Sequence, residues 1–184
     1  MKKAIYFLLM NCLLIAPSCK KDDPKKDEAK STIEYLKEDY QKVVKEIPEA
    51  EGFFIEAVYQ LSDLATEKDL KNLKPINVTY LFQWVGKDDV ALLAAMDRDF
   101  VTGKTSKIVT EPVSSPWEDT KIGNFDGVIS LEEALEKLNA SKYRPSTAYV
   151  TLRKPVIFKT TLRYMFGDKV YVDAMTGEVF GPEE

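Results

Sequence analysis

Histidine is absent from this chain of 184 residues, and cysteine occurs only at Cys12 and Cys19. Without histidine, the sequence cannot supply a Ser-His-Asp or Cys-His nucleophilic site, a histidine zinc ligand or a histidine proton shuttle. A carboxylate-pair hydrolase and Ser-Lys chemistry stay open, but no local pattern indicates either. We therefore expect a protein that is not an enzyme, holds no metal and needs no cofactor.

The apolar run near the amino terminus is too short for a transmembrane helix. Residues 4–15 are uncharged and rich in Leu and Ile, but a helix needs roughly 20 such residues to cross a bilayer. The run follows two lysines and precedes three small residues, which is the layout of a secretory signal. Cys19 comes directly after the small residues and resembles the cysteine of a lipobox. Cys19 is therefore the predicted lipidation site, with an ordinary secretory signal as the alternative.

The stretch after Cys19 is highly charged. Residues 20–28 read Lys-Lys-Asp-Asp-Pro-Lys-Lys-Asp-Glu, a composition that favours a solvated tether over a packed element. The string Cys-Lys-Lys-Asp-Asp also resembles the surface-export signal of Bacteroidota lipoproteins. We expect an outer-membrane lipoprotein exposed at the surface, with anchoring on the periplasmic face as the alternative.

A concentrated basic face is also missing. The formal net charge is −4, and it becomes more negative when Lys2 and Lys3 leave with the signal. Binding to phosphate backbones depends on clustered Lys and Arg. Nucleic acid is therefore not an expected partner, and the lipid on Cys19 is the predicted contact with the membrane.

The remaining sequence divides into two α+β stretches. We assign residues 1–18 to the signal, 19–30 to the tether, 31–111 to an N-terminal half, 112–125 to a linker and 126–184 to a C-terminal half. Apolar residues at spacings of three and four predict a helix from Ser31 to Pro48 and a shorter one from Leu131 to Leu138. Ser130 and Glu133 form a predicted capping box for the second helix.

Strand patterns follow each helix. They cover residues 53–61, 77–85, 90–100 and 104–110 in the first half, and 148–153, 156–166, 169–173 and 178–180 in the second. Within 156–166, apolar and polar residues alternate, which predicts one buried and one wet sheet face. The expected fold is α+β, a helix packed on an antiparallel sheet, with this plan duplicated.

A short internal match links the halves. Residues 99–104 read Asp-Phe-Val-Thr-Gly-Lys, and residues 173–178 read Asp-Ala-Met-Thr-Gly-Glu. Asp accepts hydrogen bonds from backbone amides ahead of it, and Gly adopts positive φ without steric cost. We interpret both as structural turns, formed by Asp99, Thr102 and Gly103 and by Asp173, Thr176 and Gly177.

The C-terminal half resembles the PepSY family. The resemblance covers residues 127–179 and depends on the helix opening Ile-Ser-Leu-Glu-Glu-Ala-Leu at 129–135 and the ending Val-Tyr-Val-Asp-Ala-Met-Thr-Gly-Glu-Val at 170–179. It implies a helix on an antiparallel sheet, similar to the tandem arrangement of the β-lactamase inhibitor protein. PepSY modules inhibit in the propeptides of secreted metallopeptidases, and the family supplies no catalytic residues.

Two acidic patterns have ordinary structural interpretations. Residues 124–133 resemble the later part of a calcium loop, but the first ligand position is Ile122, so the capping box is the better explanation of Glu133. The neighbouring pairs Asp88-Asp89 and Glu132-Glu133 point apart in any regular element and are expected to be solvated.

Three residues are candidates for contact with a partner: Trp117 in the linker, and Lys159 and Arg163 on the wet side of strand 156–166. An exposed aromatic beside an open sheet suits a partner anchor. We expect the sheet to bind a protein in the envelope or outside the cell, with inhibition of a peptidase as the implied role. A carrier with a small-ligand or ion pocket between the halves is the alternative.

Overall fold

The computed structural model describes residues 30–62, 64, 69–114, 122–155 and 161–182. Within these ranges the fold consists of two α-helices and eight strands, with three short 3-10 helices at Pro48–Ala50, Leu70–Asn72 and Lys87–Asp89. In chain order the α-helices and strands are α1 (Thr32–Glu46), β1 (Phe54–Leu61), β2 (Pro75–Val85), β3 (Ala91–Asp99), β4 (Val109–Pro112), α2 (Leu131–Asn139), β5 (Tyr149–Arg153), β6 (Arg163–Met165), β7 (Tyr171–Asp173) and β8 (Val179–Phe180).

All eight strands belong to one antiparallel sheet. Its order is β4-β3-β2-β1-β5-β6-β7-β8, so the first strand of each half lies at the centre of the sheet. There β1 and β5 pair over five residues, from Glu56 opposite Arg153 to Gln60 opposite Tyr149. The α+β class and the antiparallel sheet predicted from the sequence are confirmed.

Local sequence explains where both helices begin. The side chain of Ser31 accepts a hydrogen bond from the Glu34 amide, and the Glu34 carboxylate accepts one from the Ser31 amide. Ser130 and Glu133 make the same reciprocal pair before α2. Capping boxes satisfy amides that a helix leaves without partners at its first turn.

Both helices contribute to a single core on one face of the sheet. From α1 the buried apolar residues are Leu36, Tyr40 and Val43, and from α2 they are Leu131, Ala134, Leu135 and Leu138. They belong to the same buried cluster as alternate strand residues such as Tyr59, Tyr80 and Tyr164. The predicted alternation in the second half holds over the described part, because Leu162, Tyr164 and Phe166 are buried between half-exposed neighbours.

The last strand of the first half lies later than predicted. The sequence pattern indicated residues 104–110, whereas β4 covers Val109–Pro112. Ser106 occupies the edge of β3 instead, because its amide donates to the Asp97 carbonyl and its hydroxyl accepts from the Asp97 amide. Thr105 makes only an isolated bridge to Arg98. Pro112 is tolerated in β4 because this is an edge strand.

The β2–β3 hairpin turns through Gly86, Lys87, Asp88 and Asp89. Asp88 and Asp89 have φ angles of 62° and 57°, a left-handed conformation that Asp adopts more readily than most residues. Both are exposed, as expected.

Candidate protein-binding surface

The two Asp-x-x-Thr-Gly segments form turns with the same hydrogen bonds. Oδ1 of Asp99 accepts from the amides of Val101 and Thr102 at 2.7 and 2.9 Å. Oδ1 of Asp173 accepts from the amides two and three residues ahead, both at 2.9 Å. Gly103 and Gly177 have φ angles of 71° and 73°. The aspartates and glycines of both segments therefore shape the backbone turn. The sequence pattern had identified these residues.

Both turn carboxylates are stabilised in their ionised form. Hydrogen bonding from the Thr102 amide lowers the pKa of Asp99. Burial raises the pKa of Asp173, but the amides of Thr176 and Met175 more than offset this, so the net pKa lies below its ordinary value. Hydrogen bonds to a carboxylate favour its charged form. The turn conformations are therefore most stable when both aspartates are ionised.

The turns lie at opposite ends of the sheet. Each follows the third strand of its half, β3 for Asp99 and β7 for Asp173. Because all pairing is antiparallel, β3 runs in the same direction as β1, and β7 runs in the same direction as β5. β1 and β5 run in opposite directions, so β3 and β7 end at opposite ends of the sheet. Neither turn faces the other, so they do not form a common site.

Of the predicted partner-binding residues, only Arg163 lies in the part of the chain that the structure describes. Trp117, Lys159 and the lipidation candidate Cys19 lie outside it. Arg163 begins β6 on the sheet face opposite the helices, and no described helix packs on that face. We call it the open face.

A row of charges crosses the open face. Directly paired residues place Glu56 beside Arg153, Arg153 beside Arg163, and Arg163 beside Asp173 on four consecutive strands. Nη1 of Arg153 lies 3.7 Å from Oε2 of Glu56, and their side chains are 36% and 9% exposed. The row therefore has two arginines in its middle and a carboxylate at each end.

Burial opposes ionisation of Glu56. It raises the pKa of this carboxyl, and the nearby Arg153 only partly counteracts the effect. At Glu56, desolvation thus outweighs the attraction of the neighbouring guanidinium.

A second row on the open face is mostly apolar and aromatic. Pairing aligns Val58, Thr151, Met165, Tyr171 and Phe180 across five strands. The rings of Tyr171 and Phe180 stack with centroids 4.8 Å apart. The Arg163 guanidinium carbon lies 4.2 Å from the centroid of Tyr171 and 5.6 Å from that of Phe180, within the range of a cation–π contact. Cation and aromatic rings therefore form one patch.

The other end of the open face is acidic. Asn77, Thr79, Asp97 and Asp99 help to line a groove of about 530 Å³. The Thr79 hydroxyl donates to Oδ1 of Asp97 at 2.6 Å. The described part of the open face thus has acidic side chains over β3 and arginines over β5 and β6.

The helix-covered face contains polar groups that sequence reasoning missed. Arg98 on β3 donates to both carboxylate oxygens of Asp39 on α1, with 2.7 Å between Nη2 and Oδ1. The Asp39 side chain is 3% exposed and that of Arg98 is 10% exposed. The hydrogen bond to Asp39 raises the pKa of Arg98. The only sequence signal was a pair of opposite charges 59 residues apart, which predicts no contact.

Two buried tyrosines lie close together in the same layer. The Tyr164 hydroxyl donates to the Ile129 carbonyl at 2.9 Å, while the Tyr59 hydroxyl has no hydrogen-bond partner among the described residues. Burial raises the pKa of both phenols far above the ordinary value, so they stay neutral.

The beginnings of the two helices are joined by side chains. The Thr32 hydroxyl donates to the Glu132 carboxylate and accepts from the Leu131 amide, both at 2.8 Å. The Thr32 amide also donates to Glu132, at 3.3 Å. The expectation that Glu132 is merely solvated was wrong, because this carboxylate satisfies the first turn of the neighbouring helix. A carboxylate is also favourable near the positive end of a helix dipole.

The segment that resembles a calcium loop has other contacts. Ile122 is buried and bridges to Phe54, and the Glu133 carboxylate accepts from the Ser130 amide. No group of three or more Asp or Glu side chains that could hold a metal ion occurs among the described residues. The capping box therefore accounts for Glu133.

Comparisons with protein-family models, curated proteins and solved structures gave no match to this chain. Within the described ranges, neither helix has the length and apolar character that crossing a membrane requires.

Proposed function

We propose that this protein is a lipid-anchored, non-enzymatic binding module of the cell envelope that binds another protein through its open face. The observation that carries the proposal is the composition of that face. Arginine, tyrosine, phenylalanine and methionine come together over β5 to β8, on the side that no described helix covers. Aromatic residues, Met and Arg are enriched where proteins bind one another.

The sequence supports the absence of catalysis. There is no histidine, and after processing at Cys19 the chain would keep no free thiol. The carboxylates whose contacts are described above serve as helix caps, turn acceptors, ion-pair partners or, at Asp97, the acceptor of a threonine hydroxyl on the neighbouring strand. A binding role requires no catalytic chemistry from these carboxylates.

The proposed anchor is a lipid on Cys19, which would hold the module at the outer membrane, facing the exterior or the periplasm. Incorporation of radiolabelled palmitate should be seen in the wild type and lost in Cys19→Ala. A labelled Cys19→Ala variant would contradict the anchor, whereas an unlabelled wild type would favour the ordinary secretory signal.

We further propose that the fold arose by duplication of a PepSY-like unit. Each half runs as one helix followed by four strands, and each has its Asp-x-x-Thr-Gly turn after the third strand. Pairing of β1 with β5 at the sheet centre, and turns at opposite sheet ends, are what a two-fold relation between copies would produce. A PepSY-like origin makes inhibition or regulation of a secreted peptidase the specific role to test.

Photocrosslinking in cells tests the binding proposal directly. A photoreactive phenylalanine analogue replaces Thr151, which is half-buried on the open face, or Gln41, which is exposed on α1. We expect the Thr151 position to crosslink to a specific protein and the Gln41 position not to do so. Equal crosslinking from both positions, or none from Thr151, would contradict the proposal. An identified peptidase could then be assayed for inhibition.

A groove at the end of the β2–β3 hairpin favours a second candidate, a carrier of a small ligand. It has a volume of about 630 Å³ and is lined by Glu49, Trp84, Val85, Gly86, Lys87, Val90 and Leu92, and this size suits a small molecule. Thermal stabilisation by a compound, abolished by Trp84→Ala, would support this role. The groove does not lie between the halves, where the sequence had suggested a pocket.

A further inference from the structure

Two tyrosine hydroxyls in the core lack a hydrogen-bond partner among the residues that the structure describes. Tyr59 and Tyr80 are both fully buried, and neither phenolic oxygen bonds to any described group. A hydroxyl that leaves water for a protein interior without a hydrogen bond costs free energy, so buried polar groups nearly always have a partner. These two hydroxyls therefore call for a partner that the packed side chains do not supply.

The strand register places both tyrosines around one short side chain. Val78 on β2 lies directly opposite Tyr59 on β1 and directly opposite Arg98 on β3. Tyr80 follows two residues later on β2, so it points to the same face as Val78. It is the diagonal neighbour of Tyr59, at a spacing of about 7–8 Å that aromatic side chains can reach across. Two phenols and one guanidinium thus surround the shorter valine.

Helix α1 adds a carboxylate to this group of side chains. Asp39 accepts hydrogen bonds from Arg98 on both of its oxygens, which holds it beside the arginine that neighbours Val78. A carboxylate has about four lone-pair sites, and Arg98 occupies two of them. Burial is the main cause of the raised pKa of Tyr59 and of Tyr80, and the negative charge of Asp39 adds to it in both. An acceptor with spare capacity therefore lies near both hydroxyls.

We propose that Tyr59, Tyr80 and Asp39 bind one buried water molecule between α1 and the sheet. The water accepts the O–H of each tyrosine and donates one proton to a lone pair of Asp39 that Arg98 leaves unused. It then makes three hydrogen bonds, the typical number for a buried water. The ion pair between α1 and β3 thereby extends to β1 and β2, so the helix is held to three strands of the first half. This inference is independent of the proposed binding function.

Oxygen-17 magnetic relaxation dispersion tests the site on the purified full chain in detergent, because it detects water that stays bound while the protein tumbles. We expect the double variant Tyr59→Phe, Tyr80→Phe to lose the contribution of one long-lived water. The matched control is Tyr164→Phe, which should keep it, because the Tyr164 hydroxyl donates directly to the Ile129 carbonyl. An unchanged dispersion amplitude in the double variant would overturn the proposal.

Thermal unfolding distinguishes hydroxyls that hold a water from hydroxyls that have no partner. Removing a buried hydroxyl without a partner is neutral or stabilising, whereas a water-mediated hydrogen bond is nearly as favourable as a direct one. We expect Tyr59→Phe and Tyr80→Phe each to lower the Tm by about 2–4 °C. The double variant should lose less than the sum of the two, because both hydroxyls hold the same water. A Tm of the double variant at or above that of the wild type would refute the proposal.

A crystal structure of the same protein identifies the partner directly. We expect density for one water within hydrogen-bond distance of both hydroxyls and of the Asp39 carboxylate. A direct hydrogen bond from the Tyr80 hydroxyl to Asp39, with no density between the two tyrosines, would overturn the proposal in favour of a dry network.

Discussion

The two halves of the molecule share a plan but differ in how much sheet they build. In the first half, β1, β2 and β3 have 8, 11 and 9 residues, whereas β5, β6 and β7 in the second have 5, 3 and 3. The first half has a buried ion pair between its helix and sheet, and the second has an arginine-aromatic patch on the open face. The first half thus has the longer strands and the buried ion pair, and the second half has the groups proposed to bind a partner.

This difference shows that two halves with the same order of helix and strands can be stabilised by different contacts. Short strands offer few ladder hydrogen bonds, so the second half depends more on packing of α2 and on its turn.

The largest expected effect comes from breaking the buried ion pair of the first half. Asp39→Ala leaves the Arg98 guanidinium buried without its carboxylate, and loss of one partner of a buried pair costs about 3–5 kcal/mol. Urea unfolding should show this loss. By contrast, Tyr164→Phe, which removes one buried hydrogen bond from the second half, should cost only about 1 kcal/mol. The double variant Asp39→Leu, Arg98→Met should recover most of the stability. If Asp39→Ala and Tyr164→Phe lower the free energy of unfolding by similar amounts, the ion pair does not stabilise the first half more than a single buried hydrogen bond stabilises the second.

The turn glycines test whether the two turns are equivalent. Alanine in the left-handed conformation costs about 1–2 kcal/mol, so Gly103→Ala and Gly177→Ala should lower the free energy of unfolding by similar amounts. A new Cβ at position 103 meets open space, whereas at position 177 it lies 3.1 Å from the end of the flexible Lys137 side chain. If only one of the two variants lowers the free energy of unfolding, the turn of the other does not depend on the left-handed conformation of its glycine.

The junction between the helices links the two halves directly. Thr32→Ala removes the hydroxyl that bonds Glu132 and the Leu131 amide, and loss of an N-terminal cap costs about 0.5–2 kcal/mol. Thr32→Ser keeps the hydroxyl and serves as the matched control. Chemical denaturation of both variants checks the prediction, and a serine variant as weak as alanine would point to the lost methyl group instead.

The smallest effect is the pH dependence of the turns. Both aspartates have lowered pKa values when folded, so the stability that each adds is fully present above the unfolded pKa of about 3.9. It is lost as the pH falls through the lower, folded pKa. Replacing Asp173 with Asn, or Asp99 with Asn, should therefore flatten the stability curve in this acidic window. Identical curves for wild type and Asp173→Asn would contradict the role of its charge.

Features encoded within a few residues could be predicted from the sequence. The predicted capping box of Ser130 and Glu133 joins residues three apart, and each Asp-x-x-Thr-Gly turn closes on its own backbone. Alternation identified Tyr164 as buried and Arg163 as facing away from the core. The edge strand β4 was placed too early, because the contacts of Ser106 with Asp97 connect residues whose pairing no local pattern specifies.

The candidate surface was only partly predictable for the same reason. Arg163 could be assigned to the wet face by period alone, but its alignment with Arg153, Glu56 and Asp173 depends on strand order and register across four strands. Asp39 and Arg98 were both missed as core residues, since a charged residue is expected to be buried only when a partner is known.

The sequence by itself determined the helix starts, the turn residues and the α+β class, because caps, positive φ and hydrophobic period act over short distances. Tertiary structure decided that β1 pairs with β5, that Glu132 caps the neighbouring helix, and that two arginines meet on the open face. Those contacts join residues far apart in the chain, and their energies depend on a geometry that exists only once the whole sheet has formed.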